Sequence, residues 1–437
     1  MDQQIIYLDN AATTKVDEKV VKAMLPYFSE KYGNASSMHN FGRLAREAVD
    51  NSRKIIAKSL NANEEEIYFT SGGTESNNLA LKGLFLANKS SGKNHIITTK
   101  IEHDCILQTC RWLEKQGAKI TYIDVDKHGL VNPLDITKAI TPNTLVVSII
   151  QGNNEIGTLQ DTAEIGRICK SKGVYFHIDA CQSFTKSFID VEKQNLDLVT
   201  INAHKIHGPK GVGALYVRKG VNIQAIQNGG GHEHGLRSGT ENVPGIAGFG
   251  KAVEIADKKQ LKNIEKLRDY LIKNILKIPR TRLNGASKER LCNNVNISFR
   301  DIEGEAIASH LENYGIIVST GSACASHTLK KSHVLRAIGL NDLEINSSIR
   351  ISLSKFTTKK EIDKLIRVLP SIVNTLRTMS PVANNQINRK GGKMTKIKDK
   401  FTEFAGSFKN EGEFEEELEE EGLDPEEVEN KHFEEEN

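Results

Sequence analysis

Leu196-Asp197-Leu198-Val199-Thr200-Ile201-Asn202 runs directly into Ala203-His204-Lys205-Ile206-His207-Gly208-Pro209-Lys210-Gly211. The first half is apolar and β-branched, which favours a buried strand, and the glycines and proline of the second half end it in a turn. A lysine beside a histidine at such a junction is placed for Schiff-base chemistry. Cationic or apolar crowding lowers its pKa and frees the amine. Alone, the same lysine is equally a surface residue in a turn.

Outward from this stretch the pattern repeats. Strand-like runs fall at Ile67–Thr70, His95–Thr99, Lys119–Asp124, Leu145–Ile150, Val174–Asp179 and Gly213–Arg218. Helical spacing fills Glu75–Ala87, Asp104–Gln116 and Ala163–Lys172 between them. Strand–helix–strand alternation predicts an α/β fold whose mainly parallel sheet is covered on both faces, with its ligand at the carboxyl ends of the strands. After residue 255 a long helix over Lys251–Leu276, a strand at Asn294–Phe299 and a helix at Glu303–Tyr314 predict a smaller C-terminal α/β domain. The expected division is a large domain at 15–255, a small one from 1–14 and 256–380, and a charged tail at 381–437.

The 437 residues suffice for a large core, and 26% charged with 38% hydrophobic is ordinary for a globular chain. No apolar run approaches the ~20 residues of a membrane span, and Met1-Asp2-Gln3-Gln4 lacks a basic n-region, so a cytoplasmic protein is expected. The six cysteines, at 105, 110, 169, 181, 292 and 324, form no Cys-x-x-Cys pair. His232-Glu233-His234 lacks the spacing of a helical zinc site, so no metal is expected. Cys105, Cys110, Cys169 and Cys181 are read as core residues. Residues 381–437 hold 8 Lys/Arg against 17 Asp/Glu, a balance of −9, whereas the rest hold 51 against 39, or +12. Such an acidic stretch cannot bury enough apolar surface to order itself, and a disordered tail is expected; Phe401, Phe404 and Phe408 offer a short docking helix as the alternative.

Two further junctions support Lys205. Val174-Tyr175-Phe176-His177-Ile178-Asp179 is an apolar strand ending in an acid, which either pairs with a protonated pyridine nitrogen or caps the next helix. Phe69-Thr70-Ser71-Gly72-Gly73-Thr74-Glu75-Ser76 reads as strand, glycine turn and helix start, where free N–H groups and the Thr74 hydroxyl suit a phosphate.

Together with Asp9-Asn10-Ala11-Ala12-Thr13-Thr14, Glu102-His103, Asn153-Asn154-Glu155-Ile156-Gly157, Arg237-Ser238-Gly239-Thr240 and Ser319-Thr320-Gly321-Ser322-Ala323-Cys324-Ala325-Ser326, these stretches resemble the cysteine desulfurases of the NifS/IscS branch, class V aminotransferases of the type I pyridoxal-phosphate fold. The resemblance spans residue 7 to about residue 380.

It implies pyridoxal 5'-phosphate as cofactor and L-cysteine as substrate, with L-alanine and an enzyme persulfide as products. Lys205 would carry the Schiff base, Asp179 would face the pyridine nitrogen and His103 would stack on the ring. Gln182 and Asn154 would orient ring hydroxyl and amino acid, and Gly73, Thr74, Asn202 and His204 would form the phosphate cup. Thr240 would reach the phosphate of a second subunit, implying a homodimer, and Arg350 would clamp the substrate carboxylate. Cys324 would take the sulfur and pass it to an acceptor protein, such as an iron–sulfur scaffold with a cluster held transiently at Cys324, or to a tRNA-thiolation relay. No direct nucleic-acid contact and no membrane are implied. Two positions depart from the branch: Asn202 replaces the usual serine and Ala35 a usual proline. A related lyase or aminotransferase explains Lys205 and Asp179 but leaves Cys324 without a purpose.

Overall fold

The computed structural model describes residues 5–320 and 331–380. Cys324 and the 381–437 tail, including the docking helix considered at Phe401, lie outside the described residues.

The strands, in chain order, are Ile6–Tyr7 (β1), Ile67–Thr70 (β2), His95–Thr99 (β3), Lys119–Ile123 (β4), Thr144–Ile150 (β5), Tyr175–Asp179 (β6), Leu198–Asn202 (β7) and Gly213–Val217 (β8). Thr281–Leu283 (β9), Asn294–Phe299 (β10), Ile316–Ile317 (β11), Ser319–Thr320 (β12) and Ser348–Ser352 (β13) follow. Strands β2 to β8 form a seven-stranded sheet in the order β2-β8-β7-β6-β5-β3-β4. Only β8 runs against the rest, pairing antiparallel with β2 and β7. The α/β class and the mainly parallel sheet therefore agree with the expectation.

Alternation along each strand builds two cores. Ile97, Val147, Ile149, Ile178, Val199 and Ile201 pack on one face of the sheet with the helix Asn40–Leu60 and Val243–Glu254. Ile96, Val146, Leu198 and Leu215 pack on the other with Gly73–Ala87 and Asp104–Glu114. Each fully buried aliphatic side chain contributes roughly 1.5–3 kcal/mol, so a strand covered on both faces resists slippage.

The second sheet, β12-β13-β10-β9, is antiparallel and carries its own core of Val295, Ile297, Ile349 and Ile351 against Lys258–Ile275 and Lys359–Met379. The N-terminus joins this side, since β1 pairs in parallel with β11 and Asp9 bridges to Ser352. One expected element is corrected. Lys251–Leu276 is two helices, because the chain breaks after Glu254 and restarts where the Asp257 carboxylate accepts from Lys259 N.

Candidate active site

The carboxyl ends of β2, β3, β6 and β7 converge. Asp179 closes β6 and is buried; its Oδ2 accepts from Asn77 Nδ2 at 2.7 Å and its Oδ1 from Cys181 N at 2.9 Å. No cation pairs with it among the described residues. His103 caps the helix after β3, its Nδ1 accepting from Cys105 N at 3.2 Å and lying 3.1 Å from Cys105 Sγ. Asn77 Nδ2 also lies 3.1 Å from Cys105 Sγ, so a chain of contacts joins His103, Cys105, Asn77 and Asp179.

The turn after β2 passes through Gly72, whose φ of 154° starts the helix at Gly73. A Cβ at Gly73 would stand 2.4 Å from Cys181 Sγ and 3.5 Å from Asn202 Nδ2, so only glycine leaves this cradle open. Asn202 is buried and its Oδ1 has no partner among the described residues. Thr74 is exposed beside the turn. His204 Nδ1 lies 3.2 Å from Thr13 Oγ1. Burial, then the charges of Lys205, Lys210 and Lys186, push His204 down to about 4, so the imidazole is neutral at physiological pH.

Lys205 Nζ donates to the carbonyls of Ala11 and Ala12, and Gln182 Nε2 donates to Ala11 O at 2.8 Å. The N-terminal segment therefore lies across the site from the small-sheet side. From β13, Arg350 donates to Asp9 Oδ1 at 2.8 Å, Ser319 Oγ at 3.2 Å and Asn154 O at 3.2 Å, while its Nε is buried without a partner among the described residues. Glu155, next to Asn154, accepts from Ser332 Oγ at 2.5 Å, and His333 Nε2 lies 2.8 Å from Glu102 O. Glu102 itself is pushed up to about 8, chiefly by burial, and is neutral. Thr240 is exposed; Arg237, three residues before it, pairs with Glu75 at 2.7 Å, one residue past Thr74.

Two readings of the cysteines are corrected. Cys110 and Cys169 are buried in the core, but Cys105 and Cys181 are partly exposed and border the site. Each follows a functional candidate by two residues, His103 and Asp179, and that offset was the available signal. Burial raises Cys105 to about 12, and burial with the Asp179 charge holds Cys181 well above 9. Asn77, which orients Asp179, was missed because nothing local in its helix marks it.

The arrangement fits pyridoxal phosphate. Asp179 offers a buried carboxylate with no cation, Lys205 an amine, and the Gly72–Gly73 turn a helix N-terminus cleared of side chains for a phosphate.

The class-V aminotransferase family model matches residues 6–365. A cysteine desulfurase IscS of Methanosarcina thermophila is 49% identical over 384 residues, covering 87% of this chain and 95% of that protein. The IscS of Dictyoglomus turgidum is 47% identical over 390 residues, 88% and 99% of the two chains. Among solved structures, a NifS-like protein superposes with a TM-score of 0.80 at 39% identity, covering 85% of this chain and 100% of its own. SspA in complex with cysteine reaches a TM-score of 0.73 at 37% identity, over 81% of this chain and 100% of its own.

Proposed function

The chain belongs to the class-V aminotransferase family, in its cysteine desulfurase branch, and from that premise we propose that the cluster around Lys205 and Asp179 converts L-cysteine to L-alanine and leaves the sulfur as a persulfide on Cys324. The convergence of Lys205, Asp179 and the open Gly73 cradle carries the reading. Asp179, His103, Gln182 and Lys205 would hold the pyridine ring, and Gly73, Thr74, Asn202 and His204 the phosphate. Bound there, pyridoxal phosphate supplies an electron sink that weakens the bonds at the substrate Cα.

The chain's own groups do the rest. Arg350 binds the substrate carboxylate through its planar fork, with Asn154 beside it. Lys205, released when substrate takes its place, removes the Cα proton and later returns a proton to the product. The Cys324 thiolate attacks the substrate sulfur, the Cβ–S bond breaks, and the sulfur stays on Cys324 while its electron pair returns to the carbon skeleton that leaves as alanine. The acceptor of that sulfur would be a protein such as an iron–sulfur scaffold or a tRNA-thiolation relay.

A homodimer is part of the proposal. Thr240 is exposed, as a residue serving a partner's phosphate must be, and Leu25, Phe28, Tyr32, Met38, Phe41 and Leu44 place an exposed apolar run along one stretch of chain. No helix among the described residues is long and apolar enough to cross a membrane, and we place the activity in the cytoplasm. Borohydride reduction of the purified protein, followed by peptide mapping, tests the reading: label should sit on Lys205 and vanish in Lys205→Ala. Label on another lysine overturns the assignment.

A further inference from the structure

His103 caps the helix Asp104–Glu114 with its own side chain, Nδ1 accepting from Cys105 N at 3.2 Å. A backbone N–H can only donate, so Nδ1 is the bare nitrogen of the ring and the proton of the neutral imidazole sits on Nε2. The Cys105 side chain turns back onto the same nitrogen, with Sγ 3.1 Å from Nδ1.

The direction of that second contact is set at Asp179. Asn77 Nδ2 donates to Asp179 Oδ2 at 2.7 Å and lies 3.1 Å from Cys105 Sγ. A carboxylate oxygen accepts, so the end of the amide beside it is the NH2 and not the carbonyl, which fixes an orientation that an amide alone leaves open. One hydrogen of that NH2 goes to Asp179 and the other points at the sulfur, which is therefore an acceptor towards Asn77. The Thr74 hydroxyl also reaches the sulfur and has a hydrogen of its own to give. Burial, then the Asp179 charge, raises Cys105 to about 12, so the thiol keeps its hydrogen. The bare nitrogen in reach of that hydrogen is His103 Nδ1. The donors thus line up, Asn77 giving to Asp179 and to Cys105, and Cys105 giving to His103.

We propose that Cys105 is a positioning residue for His103: its thiol, oriented by Asn77 and Asp179, donates to Nδ1 and holds the imidazole with its proton on Nε2. This role rests on His103 lying against the cofactor ring. The helix N–H selects the tautomer, and the thiol adds a second donor to the same nitrogen, so the two together fix both the tautomer and the tilt of the ring. Held this way, His103 offers the site a proton donor at Nε2 and not a base.

The test is NMR of the holoenzyme with histidine isotope-labelled at both ring nitrogens, since a protonated and a bare ring nitrogen resonate far apart. The chain has 13 histidines, and the His103 signals are those lost in His103→Gln. The parent should show a bare Nδ1 and a protonated Nε2. Cys105→Ala should turn this single form into a mixture of tautomers. It should also lower kcat for alanine formation about 3–10-fold, the worth of one hydrogen bond, with KM little changed. Cys105→Ser puts a hydroxyl donor back and should restore the single form and most of kcat. Asn77→Leu breaks the chain at its far end and should likewise populate the second tautomer; it decides if Cys105→Ala fails to fold. A thiol that only packs would lower the melting temperature on removal and leave the His103 signals where they were. A proton on Nδ1 in the parent, unmoved His103 signals in the folded variants, or Cys105→Ser behaving as Cys105→Ala overturns the proposal. Alanine formed by His103→Gln at near-parent rates overturns the reading of His103 beneath it, and the role of Cys105 with it, whatever tautomer the spectra show.

Discussion

The two sheets meet the site in opposite states. At the ends of the seven-stranded sheet several polar groups have nothing to hold among the described residues: Asp179 has no cation, and Asn202 Oδ1 and Lys186 Nζ have no partner. In the four-stranded sheet, Arg350 is already held by Asp9, Ser319 and Asn154, with only Nε left over. Buried polar groups without partners are costly, so the first region is built around a resident group that would supply them. On the role proposed for Arg350, the second is built for exchange: a substrate carboxylate would take over contacts that Asp9 provides in its absence, so the buried guanidinium would stay paired throughout.

If that contrast is right, damage on the two sides should differ in kind. The largest effect is expected from Asp179→Ala, which removes the acid proposed to face the ring nitrogen. Alanine formation should fall about 10²–10³-fold at matched cofactor content, in steady-state assays. A loss under tenfold would break the assignment of that end of the sheet. Arg350→Lys should act on substrate alone, raising KM for cysteine roughly 10–100-fold as the bidentate fork is lost, with kcat little changed. A matching loss of cofactor would mean that the small sheet also holds the resident group.

The cradle gives a smaller and sharper case. Gly73→Ala puts a methyl against Cys181 Sγ and should weaken cofactor binding about tenfold, measured by equilibrium titration of the apoprotein. Adding Cys181→Ala should recover most of that loss, because the obstruction is a side chain. Failure of the double variant to recover would place the constraint in the Gly73 backbone.

How far the site can be read from sequence follows the same division. Asp179, Lys205 and the Gly72–Gly73 turn each end a strand of the large sheet, and apolar runs closed by a reactive residue or a glycine pair are local signals. The small sheet offered less. Ile6–Tyr7 pairs with Ile316–Ile317 across most of the chain, and two-residue strands carry no periodicity. Arg350 was named only through resemblance, since an arginine inside a buried strand looks the same whether it binds substrate or an internal acid. Asn77 and Lys186 needed the fold, because what defines them is their surroundings in it, whereas Cys105 and Cys181 had only their two-residue offset from His103 and Asp179 to mark them. The break at Ile255 was hidden under a continuous charged helical pattern, although Asp257 is an ordinary capping residue.

Three thiols now compete for the role of sulfur acceptor, and they separate on physical grounds. Cys105 and Cys181 stand at the site, but their raised pKa values leave them as protonated thiols, which are poor nucleophiles. Cys324, outside the described residues, is the proposed acceptor. The most direct measurement is a single turnover with cysteine, followed by peptide mapping of the extra sulfur in the parent and in Cys324→Ser. The parent should carry it on Cys324. Cys324→Ser should still change its visible spectrum when cysteine is added, release alanine orders of magnitude more slowly, and hold no sulfur on Cys105 or Cys181. Alanine released by Cys324→Ser at near-parent rates, or sulfur trapped on either of the other two thiols, would contradict the account.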